Sequence, residues 1–356
     1  MSQRMQGSII FLLALALILI SSGNIFAQHY QQTNLVSDIP GLAKLTDSNL
    51  VNAWGLVSTG SSPWWVADNG TGVSTLYTGA GAKVPPPVTI PPPLGSSDLA
   101  TPTGVVTGSG SDFGGSRFIF VTEDGTISGW TGGNAANLMF TSPVKAVYKG
   151  VTLGQMNGLN FLYVANFFNA SVDVFDANFM PFTNLPPTAF KDSEVPAGFA
   201  PFNVQNLDGN IFVTFAKQKP DKEDEVDAPG LGFVDQFDSS GKLLSRLRSG
   251  HWMNAPWGIA LAPEGFGKES GRLLVGQFGS GEIATFDLEH GNFHGLLRGL
   301  RGQPLTIDGL WALRFGNGAA AGPQTTLFFT AGIDDENHGL FGTITPVEKG
   351  KGHKED

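Results

Sequence analysis

Six segments of the chain repeat one local pattern at an interval of about 50 residues. Each segment opens with a short apolar strand and continues with a second strand of similar apolar character. The intervals are 49, 46, 53, 55 and 54 residues when the segments are aligned on Gly55, Gly104, Gly150, Asn203, Gly258 and Ala312. A unit of three or four short antiparallel strands cannot bury both of its faces alone, so the pattern requires copies packed on one another.

This period predicts an all-β protein, a six-bladed β-propeller with four-stranded blades. The first unit, Asn52 to Tyr77, shows the pattern most clearly, because the turn Asn69-Gly70 joins two of its strands. A β-sandwich with chance similarity between strands is the alternative. The last unit lacks a fourth strand. We expect Thr33 to Asp38, which precede the first unit, to supply that strand and close the ring.

The two ends of the chain differ from the repeats. Residues 1–27 begin with a basic Arg4, continue through the apolar run Ile9 to Ile20 and end in the small Ala27. They are predicted to be a signal peptide, with an uncleaved anchor as the alternative. Residues 28–346 are predicted to form the propeller, and residues 347–356 a disordered tail. The expected location is therefore secreted or periplasmic, without a membrane span after signal cleavage.

Composition limits the partners and the chemistry. With 31 acidic against 21 basic residues, the net charge is -10, so nucleic acid is not an expected partner. The chain has no Cys, which excludes disulfides and a cysteine nucleophile. The G-x-S-x-G, G-x-G-x-x-G and P-loop motifs are also absent from the sequence. Any catalysis would therefore rely on carboxylates or on a metal-bound water.

Propeller topology places the starts of the first strands and the ends of the second strands at one face of the ring. At the mouth of the central channel we expect carboxamides and carboxylates, with almost no Lys among them. Such oxygen ligands suit Ca²⁺, and the candidate ligands are Asn203, Asn254 and Asp308. Glu123 and Asp68 are candidates for catalytic proton transfer. Turn chemistry is the alternative for all five residues.

Ligand binding at the mouth is assigned to Asn52, Trp54, Trp257 and Trp311. The three indoles would offer an aromatic platform for a sugar ring or an apolar ligand; alternatively, they wedge neighbouring blades together. Two loops complete this face. Lys217 to Asp227 is predicted to be a charged flap, and Ile333 to Gly339 carries three carboxylates and a His, either as a Ca²⁺ loop or as a solvated acidic turn.

The chain also resembles a known family. The resemblance is carried by NLVSDIPG from Asn34, NAWGL from Asn52, WVADNGTG from Trp65, FVTEDGTISGW from Phe120, APFNVQN from Ala200, NAPWGIALAPEGFG from Asn254 and DGLWALRFGNG from Asp308. These segments look like a family of secreted bacterial proteins of uncharacterised function. More distantly, the chain is similar to six-bladed propellers of the NHL and gluconolactonase type.

The distant resemblance implies a divalent cation held in the channel by Glu, Asn and Asp from different blades. Asn203, Asn254 and Asp308 stand at comparable blade positions, but no Glu opens the first blade, where Asn52 and Trp54 stand. Two hypotheses follow. The chain is either an extracytoplasmic binding module for a small molecule, a glycan or a protein, or a Ca²⁺-dependent lactonase-like hydrolase.

Overall fold

The computed structural model describes residues 29–347, and nearly all of their regular structure is β-strand. The predicted signal peptide, Met1 to Ala27, and the tail beyond Val347 lie outside the described residues. Val347 itself, which was assigned to the tail, is the last residue of a strand. Within residues 29–347 no helix has the length and apolar character needed to cross a membrane.

The strands are numbered along the chain and form six sheets. Before the first blade come β1 (His29–Ser37) and β2 (Leu45–Thr46). Blade 1 is β3 (Ala53–Val57), β4 (Trp64–Asp68), β5 (Val73–Tyr77) and β6 (Val88–Thr89). Blade 2 is β7 (Pro102–Thr107), β8 (Phe118–Thr122), β9 (Thr126–Trp130) and β10 (Asn137–Thr141). Blade 3 is β11 (Tyr148–Met156), β12 (Leu159–Asn166) and β13 (Ser171–Phe175).

The second half of the chain continues the series. Blade 4 is β14 (Phe199–Leu207), β15 (Asn210–Gln218), β16 (Glu225–Val226), β17 (Gly232–Phe237) and β18 (Leu243–Arg246). Blade 5 is β19 (Pro256–Leu261), β20 (Leu273–Gln277), β21 (Ile283–Phe286) and β22 (Phe293–Leu296). Blade 6 is β23 (Leu310–Phe315), β24 (Leu327–Ile333) and β25 (His338–Val347), completed by β1 and β2. The predicted all-β, six-bladed propeller is therefore confirmed.

The ring closes through β1, as predicted. This strand pairs antiparallel with β25 from His29↔Val347 to Ser37↔Leu340, and the order in the sixth sheet is β2-β1-β25-β24-β23. The closing strand is longer than the predicted Thr33 to Asp38, because pairing already begins at His29. This pairing joins the two ends of the domain and covers an edge that would otherwise expose unpaired backbone groups.

Blade 3 departs from the four-stranded pattern, since its sheet ends at β13. Beyond Phe175 the chain makes one isolated bridge, Phe175↔Pro181, and then runs irregularly to β14. Pro181, Pro186 and Pro187 lie in this stretch. Proline lacks the backbone N–H that a ladder requires, which explains why no regular outer strand forms here.

Every innermost strand has a break in register near its start. The breaks fall between Ala53/Leu56, Pro102/Val105, Tyr148/Gly150, Pro201/Asn203, Pro256/Ile259 and Leu310/Leu313. Such bulges bend a strand and change the direction of a side chain. The first residue within each break is buried, and we call these six residues the axial layer: Trp54, Thr103, Lys149, Phe202, Trp257 and Trp311.

The small residues of the repeat register follow the axial layer directly and allow close contact between blades. A Cβ on Gly55 would lie 2.5 Å from the carbonyl oxygen of Thr103, and one on Gly258 would lie 2.4 Å from that of Trp311. The inner strands therefore touch, and the cavity enclosed between them measures about 10 Å³. That space is at the lower limit for one water molecule. The axis of the ring is closed at this level.

Candidate functional site

A basin lies at the face where the inner strands begin, between loops of blades 4, 5 and 6, and we call it the upper basin. Its volume is about 530 Å³. Phe278 and Lys219 contribute to its walls. The other charged lining residues are all carboxylates: Glu225, Asp227, Asp308, Asp335 and Glu336. The sequence places these groups in blade 4, in the segment that enters blade 6, and in the turn between β24 and β25. The upper basin is therefore strongly acidic.

Lys149 is the axial residue of blade 3, and it has almost no exposed surface. Its Nζ lies 3.1 Å from Glu123 Oε1, 3.4 Å from Asp224 Oδ1 and 3.6 Å from Glu225 Oε2. The same ammonium stands 5.2 Å from the Trp54 ring centroid, within the range of a cation–π contact. Burial alone would lower the pKa of Lys149, but the surrounding carboxylates outweigh it and raise this pKa. Lys149 therefore stays charged.

The charged segment after β15 supplies two of these carboxylates. It folds back as β16, which pairs antiparallel with the end of β15 through Lys217↔Val226 and Gln218↔Glu225. This pairing brings Asp224 and Glu225 to Lys149. The predicted flap, Lys217 to Asp227, thus contacts the axial layer at the channel mouth.

Three carboxylates of the upper basin, Glu225, Asp227 and Glu336, have a pKa that burial raises above its ordinary value. Burial raises the pKa of Glu225 to about 7, although Lys149 opposes the shift. Burial also raises the pKa of Glu336, and both Lys149 and a hydrogen bond from Asn52 oppose it. Carboxylates with a raised pKa in a cleft are candidates for functional residues. Here the cause is desolvation beside several like charges.

The turn between β24 and β25 holds its acidic side chains in an unusual backbone conformation. Asp334, Asp335 and Glu336 have φ values of 57°, 51° and 65°. Three successive non-glycine residues in the left-handed region cost about 1 kcal/mol each or more. Besides hydrogen bonds within the turn, two join it to residues outside it. The Asp334 N–H donates to Asp308 Oδ2 at 2.8 Å, and Asn52 Nδ2 donates to Glu336 Oε2 at 2.7 Å.

The structure brings the predicted ligand-binding residues together, but it buries the three indoles. Trp54 stacks on Trp311 with ring centroids 3.6 Å apart, and Trp257 meets both rings edge-on. Asn52 Oδ1 accepts hydrogen bonds from the indole nitrogens of Trp54 and Trp311 at 2.9 and 3.1 Å. The indoles thus pack between blades and form the floor of the mouth. Direct ligand contact by these four residues stays a prediction.

The three predicted metal ligands have separate local roles. Asn203 Nδ2 donates to the Trp257 carbonyl at 2.8 Å, and its Oδ1 accepts from the Val204 N–H at 2.8 Å. Asp308 lines the upper basin. Asn254 is buried, and its Oδ1 has no hydrogen-bond partner among the described residues. Within residues 29–347 no group of three or more His, Cys, Asp or Glu side chains has a metal-binding arrangement. Ca²⁺ binding stays a prediction.

The two predicted proton-transfer residues lie in different environments. Glu123 is at the mouth, where its Oε1 pairs with Lys149 and its Oε2 accepts from Asn69 Nδ2 at 2.9 Å. Asp68 is fully buried; its Oδ2 accepts the Thr75 N–H at 2.8 Å, and its Oδ1 has no partner in the described chain. Burial raises the pKa of Asp68 well above its ordinary value. A catalytic role for either residue stays a prediction.

The expectation of a mouth with almost no Lys is wrong, because Lys149 occupies its floor. The repeat contained a signal for this residue: Lys149 precedes Gly150 as Trp54 precedes Gly55 and as Trp257 precedes Gly258. Comparing that one position across all six units would have identified a charged residue in an otherwise largely aromatic axial layer. Glu225 and Glu336 were within the two loops singled out from the sequence, but no pattern distinguished them from their neighbours.

Comparison with known proteins places the chain in a family. The chain is 30% identical over 334 residues to "Uncharacterized protein L690" of Acanthamoeba polyphaga mimivirus, an alignment that covers 87% of this chain and 84% of the viral protein. The chain belongs to the same family as this viral protein. "Uncharacterized protein R648" of the same virus is 28% identical over 335 residues, covering 87% of this chain and 78% of that protein. No family model matches the chain.

Solved structures with the same fold include three enzymes. The aldose sugar dehydrogenase of Escherichia coli aligns with a TM-score of 0.55 at 14% identity, covering 89% of this chain and all of that one (100%). A glucose dehydrogenase gives 0.54 at 14%, covering 83% and 96%, and a streptogramin B lyase gives 0.53 at 13%, covering 89% and 97%. At such low identity the likeness shows the propeller fold and no activity. Membership of a secreted bacterial family stays a prediction.

Proposed function

We propose that the chain is an extracytoplasmic binding module whose upper basin receives a cationic group, carried by a small molecule or by a protein side chain. The observation that supports this most is the convergence of five carboxylates around an open space of about 530 Å³ between blades 4, 5 and 6. Loops of these blades bring residues distant in sequence together, and concave sites with a few convergent polar groups are the usual places for ligands.

The charge of the upper basin favours a cation over an anion or a neutral ligand. Among the described residues, its lining has five carboxylates against the one ammonium of Lys219. Lys149 lies beneath and offsets Glu123, Asp224 and Glu225 only in part. Phe278 adds an aromatic wall, held in place by stacking on Trp311 with ring centroids 4.0 Å apart. Carboxylates with an aromatic face are a suitable environment for an ammonium or guanidinium group.

The extracytoplasmic location rests on the sequence of residues 1–27 alone. N-terminal sequencing of the protein purified from its native organism tests this location. We expect the mature chain to begin at Gln28. A chain that keeps Met1 and remains in the cytosolic fraction would contradict this part of the proposal, and it would leave the binding site unaffected.

Binding is tested with 1,5-diaminopentane as the cationic probe, using isothermal titration calorimetry on residues 28–356 at pH 8 and low salt. The test variant is Asp308→Asn with Asp335→Asn, which removes two charges from the upper basin. Asn at position 308 keeps an oxygen acceptor for the Asp334 N–H. We expect saturable binding to the unchanged chain and a dissociation constant at least tenfold higher for the variant.

A matched control removes two carboxylates elsewhere. Glu264→Gln with Glu289→Gln changes the net charge by the same amount at two exposed positions. We expect this control to bind the diamine as the unchanged chain does. The neutral probe 1-pentanol should not bind at the same concentration. An equal loss of affinity in both double variants would show that binding depends only on the net charge of the protein, and it would contradict the proposal.

A Ca²⁺-dependent lactonase-like hydrolase is the second candidate, and one observation favours it. The buried Asn254 Oδ1 has no partner in the described chain and lies beside Gly279, a lining residue of the upper basin. An oxygen without a donor suits a hard cation. Metal content after dialysis and the melting temperature with and without a chelator test it. One Ca²⁺ per chain, a melting point lowered by chelator and lactone turnover would support it; a metal-free chain with no shift would remove it.

A further inference from the structure

The opposite end of the propeller axis has a second pocket of different character, which we call the lower pocket. Its volume is about 340 Å³, and it lies where the inner strands of several blades end. Arg314, near the end of β23, is the one charged residue among the described residues that line it. The remaining polar lining comes from Ser58, Thr107, Thr152, Gln205 and Asn206. No carboxylate of the described chain lines this pocket.

Arg314 is a half-buried cation without a counter-charge among the described residues. Its Nε donates to the Leu56 carbonyl at 3.2 Å, which positions the guanidinium between blades 6 and 1. Its two terminal nitrogens make no hydrogen bond to the described residues, and within residues 29–347 no carboxylate oxygen lies within 4.0 Å of them. Desolvation lowers the pKa of Arg314 to about 10, so it remains charged at neutral pH. Placing a charge out of water without a partner is unfavourable.

Other hydrogen-bond donors of the lower pocket also lack acceptors among the described residues. Trp64 lines the lower pocket, and its buried indole N–H has no partner in the described chain. Thr152 Oγ1 accepts the Asn206 N–H at 3.0 Å, which leaves its own hydroxyl hydrogen for another acceptor. The Gln205 side chain donates one long hydrogen bond, 3.3 Å, to the Asn206 carbonyl and makes no other to the described residues. The lower pocket thus contains hydrogen-bond donors, above all the terminal nitrogens of Arg314, that have no acceptor among the described residues.

We propose that the lower pocket is an anion-binding site, in which the free fork of the Arg314 guanidinium binds a carboxylate or phosphate group bidentately. Arginine is suited to this geometry because two parallel N–H donors match two oxygens. Val57, Leu153 and Phe315 also line the pocket. Their apolar surface suits an anion that carries an apolar or aromatic body. The inference is independent of the cation site at the upper basin, since the axial layer and the closed axis separate the two.

The test uses benzoate and phenyl phosphate as probes, with benzamide as a neutral molecule of similar shape. Affinity is measured by isothermal titration calorimetry with residues 28–356 at low salt. We expect saturable binding of at least one of the two anions and no binding of benzamide. Which anion binds distinguishes a carboxylate from a phosphate ligand. Absence of saturable binding for both anions would overturn the proposal.

Variants locate the binding. Arg314→Met should raise the dissociation constant at least tenfold, and Arg314→Lys should weaken binding less, because Lys keeps the charge without the fork. Arg301→Met removes an equal charge at an exposed position and should bind as the unchanged chain does. Unaltered binding by Arg314→Met would overturn the proposal.

Should Arg314→Met fail to fold, Ser58→Asp provides an independent test. It places a carboxylate among the lining residues of the same pocket, where it would compete with the ligand. We expect a folded protein that has lost anion binding. The upper-basin variant Asp308→Asn/Asp335→Asn should bind the anion normally, which separates failure of this proposal from failure of the cation site. Anion binding retained by Ser58→Asp would contradict the assignment.

Discussion

The two ends of the propeller axis each have a cation at their centre, and the two cations have opposite surroundings. Lys149 at the upper end is buried and lies within 3.6 Å of three carboxylates. Arg314 at the lower end is half-buried and pairs with no carboxylate in the described chain. The comparison shows that the repeated inner strands determine where each cation lies on the axis, whereas the connecting loops determine the charge around that cation. Carboxylates reach the upper end from the segment after β15 and from the turn after β24.

The largest expected effect is the loss of the paired cation. Lys149→Met leaves Glu123, Asp224 and Glu225 without their shared partner. Removing one member of a buried ion pair costs about 3–5 kcal/mol because the remaining charge is uncompensated. We expect a loss of that size in the free energy of unfolding at pH 8, measured by denaturant titration. At pH 5 the loss should be smaller, because carboxylates without the ammonium can take up protons.

Lys145→Met is the matched control for this substitution. Lys145 precedes β11 by three residues, and about half of its side chain is exposed beside Glu223. Exposed pairs of this kind contribute about 0–1 kcal/mol. We expect the control to change stability by no more than that. A loss below about 1 kcal/mol for Lys149→Met at pH 8 would show that the upper ion cluster contributes little to stability.

The closure of the axis between the two ends is tested by replacing one glycine with alanine. Gly55→Ala would place a Cβ 2.5 Å from the Thr103 carbonyl oxygen, in an inner strand that cannot move without its neighbours. Overpacking of this kind costs about 1–3 kcal/mol, and a backbone clash belongs at the upper end of that range. Gly60→Ala is the control, because a Cβ there meets no atom within 4 Å. Equal melting temperatures for the two variants would contradict the closed axis.

A smaller effect is expected from the proton equilibrium of Glu225. Its pKa is raised from 4.5 in a model compound to about 7, so the folded state binds a proton more tightly than the unfolded state. The stability that this proton provides is complete below about pH 4.5 and is lost as pH rises through about 7. Glu225→Gln removes the transition. We expect the stability of the unchanged chain to fall more than that of the variant between pH 4.5 and pH 8, by at most about 3 kcal/mol, since each unit of pKa shift corresponds to about 1.4 kcal/mol.

This experiment depends on the difference between two curves. Burial also raises the pKa of Asp235 to about 7, and that group titrates in both proteins. Its contribution cancels when the variant curve is subtracted from the curve of the unchanged chain. If the stability curves of the two proteins are parallel over the whole pH range, Glu225 ionises as an ordinary surface carboxylate. That result would contradict the conclusion that the upper end of the axis is desolvated.

The repeat was sufficient to predict the fold because period and register follow from local strand patterns. Register glycines such as Gly55 fall where blades touch, and the closing strand was found because the last unit lacked one. The ion cluster was harder to predict. Glu225 reaches Lys149 through an irregular loop, and Glu336 reaches Asn52 through a left-handed turn. Neither conformation follows from periodicity, since each depends on contacts between residues far apart in sequence.

The smallest expected effect is a change in stability when the unpaired cation, Arg314, is removed, with stability measured in the absence of any added anion. Arg314→Met removes a desolvated charge that has no counter-charge in the described chain, and it keeps an apolar stem against the blade. One hydrogen bond, from Nε to the Leu56 carbonyl, is lost at a cost of about 1 kcal/mol. Relief of desolvation offsets that cost, so we expect stability at pH 7 to change by less than about 1 kcal/mol in either direction. A loss of 3 kcal/mol or more, comparable to that expected for Lys149→Met, would mean that Arg314 has a counter-charge, and the contrast between the two ends would fail.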